Sequence, residues 1–341
     1  AYRSLETSDT GQAAPFTHAG GDKLSFAYLD SGILLSSAAG AHYYSFSGES
    51  YAEEVQAMEH PVLSASSNAG VVYDAGGQSL FLFRDGREAL NLSLDGGGDL
   101  LSARVNDSGW LAVTAQQSGY KGSVTVYNVN STSRKEIIQL NFSSVFVADA
   151  AVSPDSKTVA VITIGQENGS FFSQLLLYPV DSSEPSATLS LGNLAVLDLD
   201  YEAEQLWVLG EDRLLSVAAD GSDYETYSFG RSYLKGCHLG GDGFAVLLLG
   251  RYQAGGAEQV LTIDPQCQLI AQAPLRGQVL SFSAAGRYLS LLTGSGLEIY
   301  TRDMSLYRAL EDTQDARFTA LSPNGSALLA DSQQAWLYIP S

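Results

Sequence analysis

The sequence predicts an all-β protein, and within that class a β-propeller of eight four-stranded blades. Three observations indicate this fold. Short apolar runs separated by turn residues recur along all 341 residues. A turn of similar composition returns every 38 to 47 residues, which is the period of a propeller blade. Helical periodicity is confined to Tyr51–Glu59, which can equally form a fourth strand with its loop. Eight matching units of this size are too many for a β-sandwich.

The recurring turns lie between the first and second strand of each unit. Six of the eight turn anchors are glycine, because a tight turn often needs a residue with positive φ, and Asn, Asp or Ser commonly precede them. The anchors are Gly32, Gly70, Gly109, Ser156, Ala203, Gly243, Gly286 and Gly325.

The strands are predicted from the apolar runs around these anchors. Second strands follow the anchors at Ile33–Leu35, Val71–Tyr73, Trp110–Val113, Thr158–Ile164, Gln205–Leu209, Phe244–Leu249, Tyr288–Leu292 and Ala327–Ala330. Third strands are predicted at Tyr43–Phe46, Leu80–Phe83, Val124–Tyr127, Leu175–Tyr178, Leu297–Tyr300 and Trp336–Tyr338. Polar fourth strands, such as Lys135–Leu140 and Gln268–Ala273, complete the units.

The last unit has only three strands before the chain stops, at Arg317–Leu321, Ala327–Ala330 and Ala335–Ile339. We expect Tyr2–Glu6 to supply its outer strand, because a shared last blade removes an open sheet edge. The chain is then one domain, 1–341, with an N-terminal segment at 1–20 and blades over 21–341. Seven blades is the alternative, because the Ala203 unit matches the pattern least well.

The balance of charges argues against some partners. The chain has 18 Lys and Arg against 38 Asp and Glu, a formal net charge of −20, so no nucleic-acid partner is expected. No apolar run reaches 18 residues, so this segment is not expected to insert into a membrane. The chain begins without Met, and we expect a removed N-terminal segment to have held a signal or anchor.

Two turns carry a family resemblance. Ser153-Pro154-Asp155-Ser156-Lys157 and Ser322-Pro323-Asn324-Gly325-Ser326 resemble the SPDGK turn of WD40-like and TolB-like propellers. That motif is specific for the fold and says little about activity. The weak, divergent blades also resemble an uncharacterised family of clostridial cell-envelope proteins. This resemblance implies an extracellular or cell-surface domain, of unknown function, anchored by an N-terminal transmembrane helix.

No residue set points to a catalytic, cofactor or metal site. The alternating Asp198, Asp200 and Glu202 can bind Ca²⁺ or form an acid–base pair, but a solvated strand end is the favoured interpretation. The four histidines, His18, His42, His60 and His238, have no metal-ligand spacing.

Other residues that could suggest a functional site are expected to have structural roles. Trp110, Trp207 and Trp336 are expected in the core. Cys237 and Cys267 are expected to be two separate thiols, and a disulfide between them stays the alternative. Thr293–Gly296 is predicted to be a hairpin turn, and Asp95–Asp99 a flexible loop between blades.

The pattern favours a monomeric, non-catalytic envelope module that binds a protein or a glycan with the loops of one propeller face. The longest connections between second and third strands are Gln116–Gly122, Gly165–Ser173 and Gly250–Glu258. They occupy the same place in each blade, so we expect the interaction surface there. The alternative is a carbohydrate-active hydrolase or lyase with carboxylates in the central funnel. The first strands, Ala148–Val152, Leu194–Leu199 and Val279–Phe282, are mainly apolar and disfavour it.

Overall fold

The computed structural model describes residues 5–341 except 95 and 97. Its described residues form 32 strands and no α-helix. The strands make eight antiparallel sheets of four, so the fold is an eight-bladed β-propeller, as the sequence predicts. The Ala203 unit is a complete blade, and the seven-bladed alternative is therefore wrong.

Four blades belong to a compact unit that runs from Val55 to Thr226. In blades 2 to 5 the strands follow one another in chain order. Blade 2 comprises β6 (Pro61–Ala65), β7 (Ala69–Asp74), β8 (Ser79–Arg84) and β9 (Arg87–Ser93); blade 3 comprises β10 (Leu100–Val105), β11 (Trp110–Ala115), β12 (Gly122–Asn128) and β13 (Glu136–Phe142). Blade 4 comprises β14 (Phe146–Val152), β15 (Thr158–Glu167), β16 (Ser170–Pro179) and β17 (Ala187–Gly192); blade 5 comprises β18 (Val196–Tyr201), β19 (Gln205–Gly210), β20 (Arg213–Ala218) and β21 (Tyr224–Ser228).

The other compact unit ends at Glu54 and resumes at Tyr227. Blade 1 comprises β2 (Ser25–Tyr28), β3 (Ile33–Ser37), β4 (Gly40–Tyr44) and β5 (Ser50–Val55); blade 6 comprises β22 (Tyr233–His238), β23 (Ala245–Gly250), β24 (Gln259–Ile263) and β25 (Leu269–Pro274). Blade 7 comprises β26 (Val279–Ala285), β27 (Tyr288–Thr293), β28 (Gly296–Thr301) and β29 (Leu306–Leu310). Blade 8 comprises β30 (Phe318–Leu321), β31 (Ala327–Ala330), β32 (Gln334–Tyr338) and, as its outer strand, β1 (Phe16–Thr17). The segment Tyr51–Glu59 thus contributes the fourth strand of blade 1.

The N-terminal segment completes the last blade, but with other residues than expected. Strand β1 pairs antiparallel with β32, Phe16 opposite Ala335 and Thr17 opposite Gln334. The prediction of Tyr2–Glu6 is wrong for Leu5 and Glu6, which lie outside any strand, while residues 2–4 lie outside the described residues. The ring of Phe16 also contacts that of Tyr44 in blade 1, with centroids 5.3 Å apart, so β1 is packed against blade 1 as well as paired with blade 8.

A buried glutamine holds the N-terminal segment against blade 8. The Oε1 of Gln12 accepts a hydrogen bond from Nε1 of Trp336 at 3.0 Å and from Nε2 of Gln314 at 3.3 Å. Its Nε2 donates to the carbonyl of Asp312 at 3.1 Å. Because Gln12 is only 6% exposed, these bonds satisfy polar atoms that water cannot reach.

The core lies between neighbouring blades. Second strands such as β19 and β23 are buried along their whole length, whereas the outer strand β17 alternates between half-buried and exposed residues from Ala187 to Ser190 and buries only Leu191. Each apolar cluster combines two adjacent blades: in the Val55–Thr226 unit, Leu82 with Leu111, Val126 with Val161, and Leu177 with Val208. Blades 6 and 7, 7 and 8, and 8 and 1 pack in the same way.

The turns between first and second strands also connect blades. Seven of the predicted anchors lie in these turns, whereas Gly70 lies inside β7. Positive φ occurs at five of them, Gly109, Ser156, Gly243, Gly286 and Gly325. Asn106 donates from Nδ2 to the carbonyl of Ser153 at 2.8 Å, which joins the turns of blades 3 and 4. The Ser153-Pro154-Asp155 turn is therefore part of the packing between blades 3 and 4.

Cys237 and Cys267 lie in blade 6 as thiols and do not form a disulfide. Nowhere in the described part of the chain is a helix long and apolar enough to cross a membrane.

Candidate functional site

The first strands of blades 3 to 7 share an irregularity near their starts. Each contains a β-bulge, where one extra residue interrupts the pairing with the second strand. A bulge bends the strand and redirects its side chains. The bulged residues are Leu101, Ala148, Leu197, Lys235 and Leu280, and the residues after them are Ser102, Asp149, Asp198, Gly236 and Ser281.

The residues after the bulges make polar contacts close to the first strands. Asp149 and Asp198 each accept, through Oδ1, the backbone N–H of the next residue at 2.8 Å. Ser281 accepts the N–H of Thr319 in blade 8 at 3.0 Å. Asp149 and Asp198 therefore satisfy backbone donors next to their bulges, and Ser281 connects blade 7 to blade 8.

An arginine connects three first strands of the Val55–Thr226 unit. Arg104 on β10 donates from Nε and Nη2 to both carboxylate oxygens of Asp149 on β14, at 2.8–3.0 Å. Its Nη2 also lies 2.9 Å from Oδ1 of Asp198 on β18. Ser102 donates to Oδ1 of Asp149 at 2.7 Å. We call Ser102, Arg104, Asp149 and Asp198 the Arg104 network.

The Arg104 network is largely shielded from water. The side chain of Asp149 is 8% exposed and that of Arg104 is 23% exposed. Burial disfavours the charged guanidinium, but Asp149 and Asp198 outweigh it, so the pKa of Arg104 is raised above its ordinary value. A permanently charged arginine held by two carboxylates has no proton to exchange at neutral pH. The arrangement suits a structural tie between blades 3, 4 and 5.

Asp200 is the most perturbed acid near this network. Its Oδ2 is buried, and no described group donates a hydrogen bond to it. Burial raises the pKa of Asp200, and the nearby carboxyl groups of Glu202 and Asp198 raise it further. Arg104 opposes this rise but does not cancel it. Asp200 therefore retains its proton to higher pH than an ordinary aspartate.

The structure corrects two expectations about these residues. Asp198 and Asp200 are not a solvated strand end, because Asp198 pairs with Arg104 and a carboxylate oxygen of Asp200 is buried. The first strands are also less apolar than expected, since Arg104 and Asp149 lie on them. The available signal was a single charge inside each apolar run, LLSARV and FVADAAV, because charged residues at such positions usually need partners.

Exposed apolar side chains are concentrated at one end of the blades. Antiparallel pairing, as between Phe146 and Ile164, places the start of each first strand beside the end of the second strand. Within each compact unit, we call the first-strand starts together with the second-to-third-strand connections the loop face of that unit. Among the described residues, seven of the eleven exposed large hydrophobics lie at such positions: Leu101, Tyr120, Phe146, Phe171 and Leu197 in the Val55–Thr226 unit, and Tyr233 and Tyr252 in the other unit.

Cations accompany several of these aromatic rings. The Nζ of Lys121 lies 5.1 Å from the ring centroid of Phe146, and the guanidinium of Arg251 lies 5.4 Å from that of Tyr252. Phe146 is 57% exposed and Tyr252 is 64% exposed. Such cation–π pairs hold the rings in place without covering them.

Two of the three predicted loops are loops in the structure, and one is not. Connections at 116–121 and 251–258 leave the sheets as expected. The segment Gly165–Ser173 instead continues β15 and β16, which pair as far as Glu167 and Ser170 around a turn at Asn168-Gly169. Backbone pairing, and a positive φ at Asn168, extend this hairpin beyond the expected strand ends. For the Asp95–Asp99 loop, residues 95 and 97 lie outside the described residues.

A groove of about 1120 Å³ lies between blades 6 and 7 on the loop face of their unit. Its walls are the end of the 251–258 loop and the link from β25 to β26, and we call it the blade 6–7 groove. Its polar lining comprises Lys235, Glu258, Gln259, Arg276, Gln278 and Ser281. Its apolar lining includes Leu248, Leu275, Val279, Leu280 and Phe282.

Within the described residues, no group of three or more His, Cys, Asp or Glu side chains is arranged to hold a metal ion. Asp198, Asp200 and Glu202 do not form such a group.

Replacing Arg104 with Met should destabilise the fold strongly. Asp149 would keep its buried charge and lose its cation, and removing one partner of a buried pair costs about 3 kcal/mol or more. The free energy of unfolding in urea measures this loss. Arg213→Met is the matched control, because its ion pair with Asp212 has a partner that is 65% exposed, and it should cost less than about 1 kcal/mol. Equal losses in the two variants would contradict a structural role for the network.

Replacing Asp200 with Asn should stabilise the protein at neutral pH. The raised pKa of Asp200 means that the folded state binds its proton more tightly than the unfolded state. Its stabilising contribution is therefore present at acidic pH and is lost as pH rises above the ordinary aspartate pKa. The difference in unfolding midpoint between Asp200→Asn and the original chain should grow from pH 4 to pH 8.

Asp155→Asn provides the control of opposite sign for this experiment. A hydroxyl from Ser153 and the N–H of Lys157 lower the pKa of Asp155, so its contribution is present at neutral pH and is lost as pH falls. Asp155→Asn should therefore destabilise the protein at neutral pH. The same pH trend in both variants would show that the electrostatic account of Asp200 is wrong.

Solved structures share this architecture. The C-terminal WD40 domain of Sif2 matches with a TM-score of 0.64 at 13% identity, covering 96% of this chain and 99% of that domain. Sqt1 of Saccharomyces cerevisiae matches with a TM-score of 0.66 at 9% identity, covering 98% of this chain and 100% of the other. BamB from Moraxella catarrhalis matches with a TM-score of 0.54 at 10% identity, covering 96% and 99%. At these identities the likeness shows the fold alone, and it confirms the WD40-like and TolB-like resemblance at that level.

No curated protein matches the sequence significantly. The model of DUF5711, described as a family of unknown function, matches residues 3–191. Because this match covers more than half of the sequence, the chain belongs to DUF5711.

Proposed function

We propose that this protein is a non-catalytic scaffold that binds a partner protein through the loop face of its Val55–Thr226 unit. The observation that carries this proposal is the position of its exposed apolar side chains. Within the Val55–Thr226 unit, five of the six large ones among the described residues lie on its loop face, and the sixth, Val55, lies on an outer strand. Exposed apolar side chains that share one surface are typical of interaction sites.

The composition of the loop face supports a protein partner. Aromatic residues and arginine are enriched at protein interfaces and often dominate their binding energy. In the Val55–Thr226 unit the exposed aromatic residue Phe146 has Lys121 against its ring, and in the other unit the exposed Tyr252 has Arg251 against its ring. WD40-like propellers commonly mediate protein interactions, and loops held on a rigid scaffold are well suited to binding. A glycan partner is an alternative outcome of the experiment below.

The alternative of a carbohydrate-active enzyme lacks support. Asp149 and Asp198 on the first strands are already engaged by Arg104 and by backbone N–H groups. Asp200 and Glu202 do not line the blade 6–7 groove. A pair of catalytic carboxylates needs a substrate between them, and these carboxylates instead contact protein groups.

We further propose that this scaffold is a monomer. It lies at the cell surface, where an N-terminal membrane anchor holds it. The resemblance to clostridial envelope proteins motivates this location, and a net charge of −20 favours a soluble domain. Recovery of the full-length gene product in the cytosolic fraction would rule the location out.

Polar substitution of the loop face should abolish partner binding without unfolding the protein. Phe146→Ser with Leu197→Ser removes two side chains that are 57% and 56% exposed. In affinity purification of the full-length protein from its own cells, quantified by mass spectrometry, the specific partner should fall at least tenfold. Because both side chains are exposed, the free energy of unfolding should change by less than about 1 kcal/mol.

The matched control is Leu269→Ser with Leu306→Ser, which removes two side chains on outer strands that are 44% and 58% exposed. This variant should retain the partner. Retention of the same partner by the loop-face variant, or equal loss in both variants, would refute the proposal. A glycan-array signal that only the loop-face variant loses would replace the protein partner by a glycan.

A further inference from the structure

We propose that the blade 6–7 groove binds an acidic, partly apolar stretch of the partner polypeptide. This inference rests on the proposed function and assigns to that partner one feature of its chemistry. It concerns only the unit that holds blades 6 and 7.

The size of the groove favours a peptide segment. Its volume of about 1120 Å³ exceeds the roughly 300–1,000 Å³ of pockets for small molecules. It extends along the link from Pro274 to Gln278 and faces the end of the 251–258 loop. A site of this volume, lined by two backbone segments, fits a stretch of extended chain better than a compact ligand.

The lining of the groove is apolar at its base. Leu248 and Phe282 come from the sheets of blades 6 and 7 and contribute to the apolar cluster between them. The backbone at Gly236 lies so close that an added Cβ would be 2.8 Å from Cζ of Phe282. The absence of a side chain at Gly236 therefore lets the ring of Phe282 pack against the backbone of β22, and this ring forms part of the apolar lining of the groove.

The charge of the groove is opposite to that of the whole protein. Lys235 and Arg276 line it, and Glu258 is its only described acid. Glu258 is already paired with Arg251, which donates from its backbone N and from Nε, each at 2.8 Å. A positive site on a chain with a net charge of −20 selects for an acidic ligand through complementary charge.

Comparison among the blades shows that Lys235 is specific to this site. The bulged residue of the first strand is Leu or Ala in blades 3, 4, 5 and 7, and Lys in blade 6. Its Nζ donates to the carbonyl of Gln253 at 2.8 Å, and an ammonium group has three donors. Lys235 can therefore also donate to a ligand carboxylate while the 251–258 loop stays in place.

Selection from a random twelve-residue peptide library displayed on phage, with the full chain as target, tests the inference. Enriched peptides should contain more Asp and Glu than the input library, together with apolar residues. Three of them, labelled with fluorescein, are then measured by fluorescence anisotropy. Lys235→Glu with Arg276→Glu should weaken their binding at least tenfold, and Lys235→Gln with Arg276→Gln should weaken it less.

The matched control is Arg302→Glu with Arg317→Glu. Both side chains are exposed cations of the same unit that do not line the groove, and the variant changes the net charge by the same amount. It should bind the peptides like the original chain. Equal weakening by this control would show a general charge effect and overturn the inference.

Other outcomes separate this inference from the proposed function. Enriched peptides without an acidic excess, or no enrichment over an unrelated propeller, would refute the groove as an acidic-peptide site. Peptides whose binding depends on Phe146 and Leu197 but not on Lys235 and Arg276 would refute it and leave the loop-face proposal standing. Binding of oligogalacturonate, lost on charge reversal, in the absence of peptide binding would identify an anionic glycan site instead.

Discussion

A four-stranded blade can bury its two apolar faces only against the blades beside it. The packing within each compact unit follows from this constraint, because every apolar cluster described above joins residues of two adjacent blades. The second strands, such as β19 and β23, are buried from end to end. A last blade without its outer strand would leave an edge open, and β1, held nearby by Gln12 against Trp336, covers it.

Several polar groups in the first strands are also satisfied within their own blade or by a neighbouring blade. A bulge interrupts the pairing of each first strand in blades 3 to 7, and the following Ser or Asp satisfies nearby backbone donors in several of them. Arg104 then joins three blades through two carboxylates. The charged side chains of Arg104, Asp149 and Asp198 thus bind one another and stabilise the packing of blades 3 to 5. The exposed rings of the loop face, such as Phe146, have no comparable structural role. This contrast is the physical basis for assigning binding to the loop face.

Most of the fold could be predicted from the sequence because blade strands are local patterns. Runs such as Thr158–Ile164 and Ala327–Ala330 carry their own apolar signal, and the turn anchors set the period. The closing strand could not be predicted from the sequence, because Phe16–Thr17 is only two residues long and its pairing partners lie near the other end of the chain. The ion pair of Asp198 was missed for the same reason: its partner, Arg104, belongs to another blade. The loops at 116–121 and 251–258 were predictable, but the bulge that presents Lys235 depends on pairing register, which composition does not show.

Cross-linking of the chain ends tests most directly whether the terminal segments share the last blade. Thr17 and Gln334 are cross-strand partners, and antiparallel partners have Cα atoms about 4.5–5.5 Å apart, which a disulfide can span. In a chain with Cys237→Ala and Cys267→Ala, the pair Thr17→Cys with Gln334→Cys should form an intramolecular disulfide on mild oxidation, detected by mass spectrometry. Glu6→Cys with Gln334→Cys should not. Absence of the first cross-link, or equal formation of both, would contradict the closure of the propeller by β1.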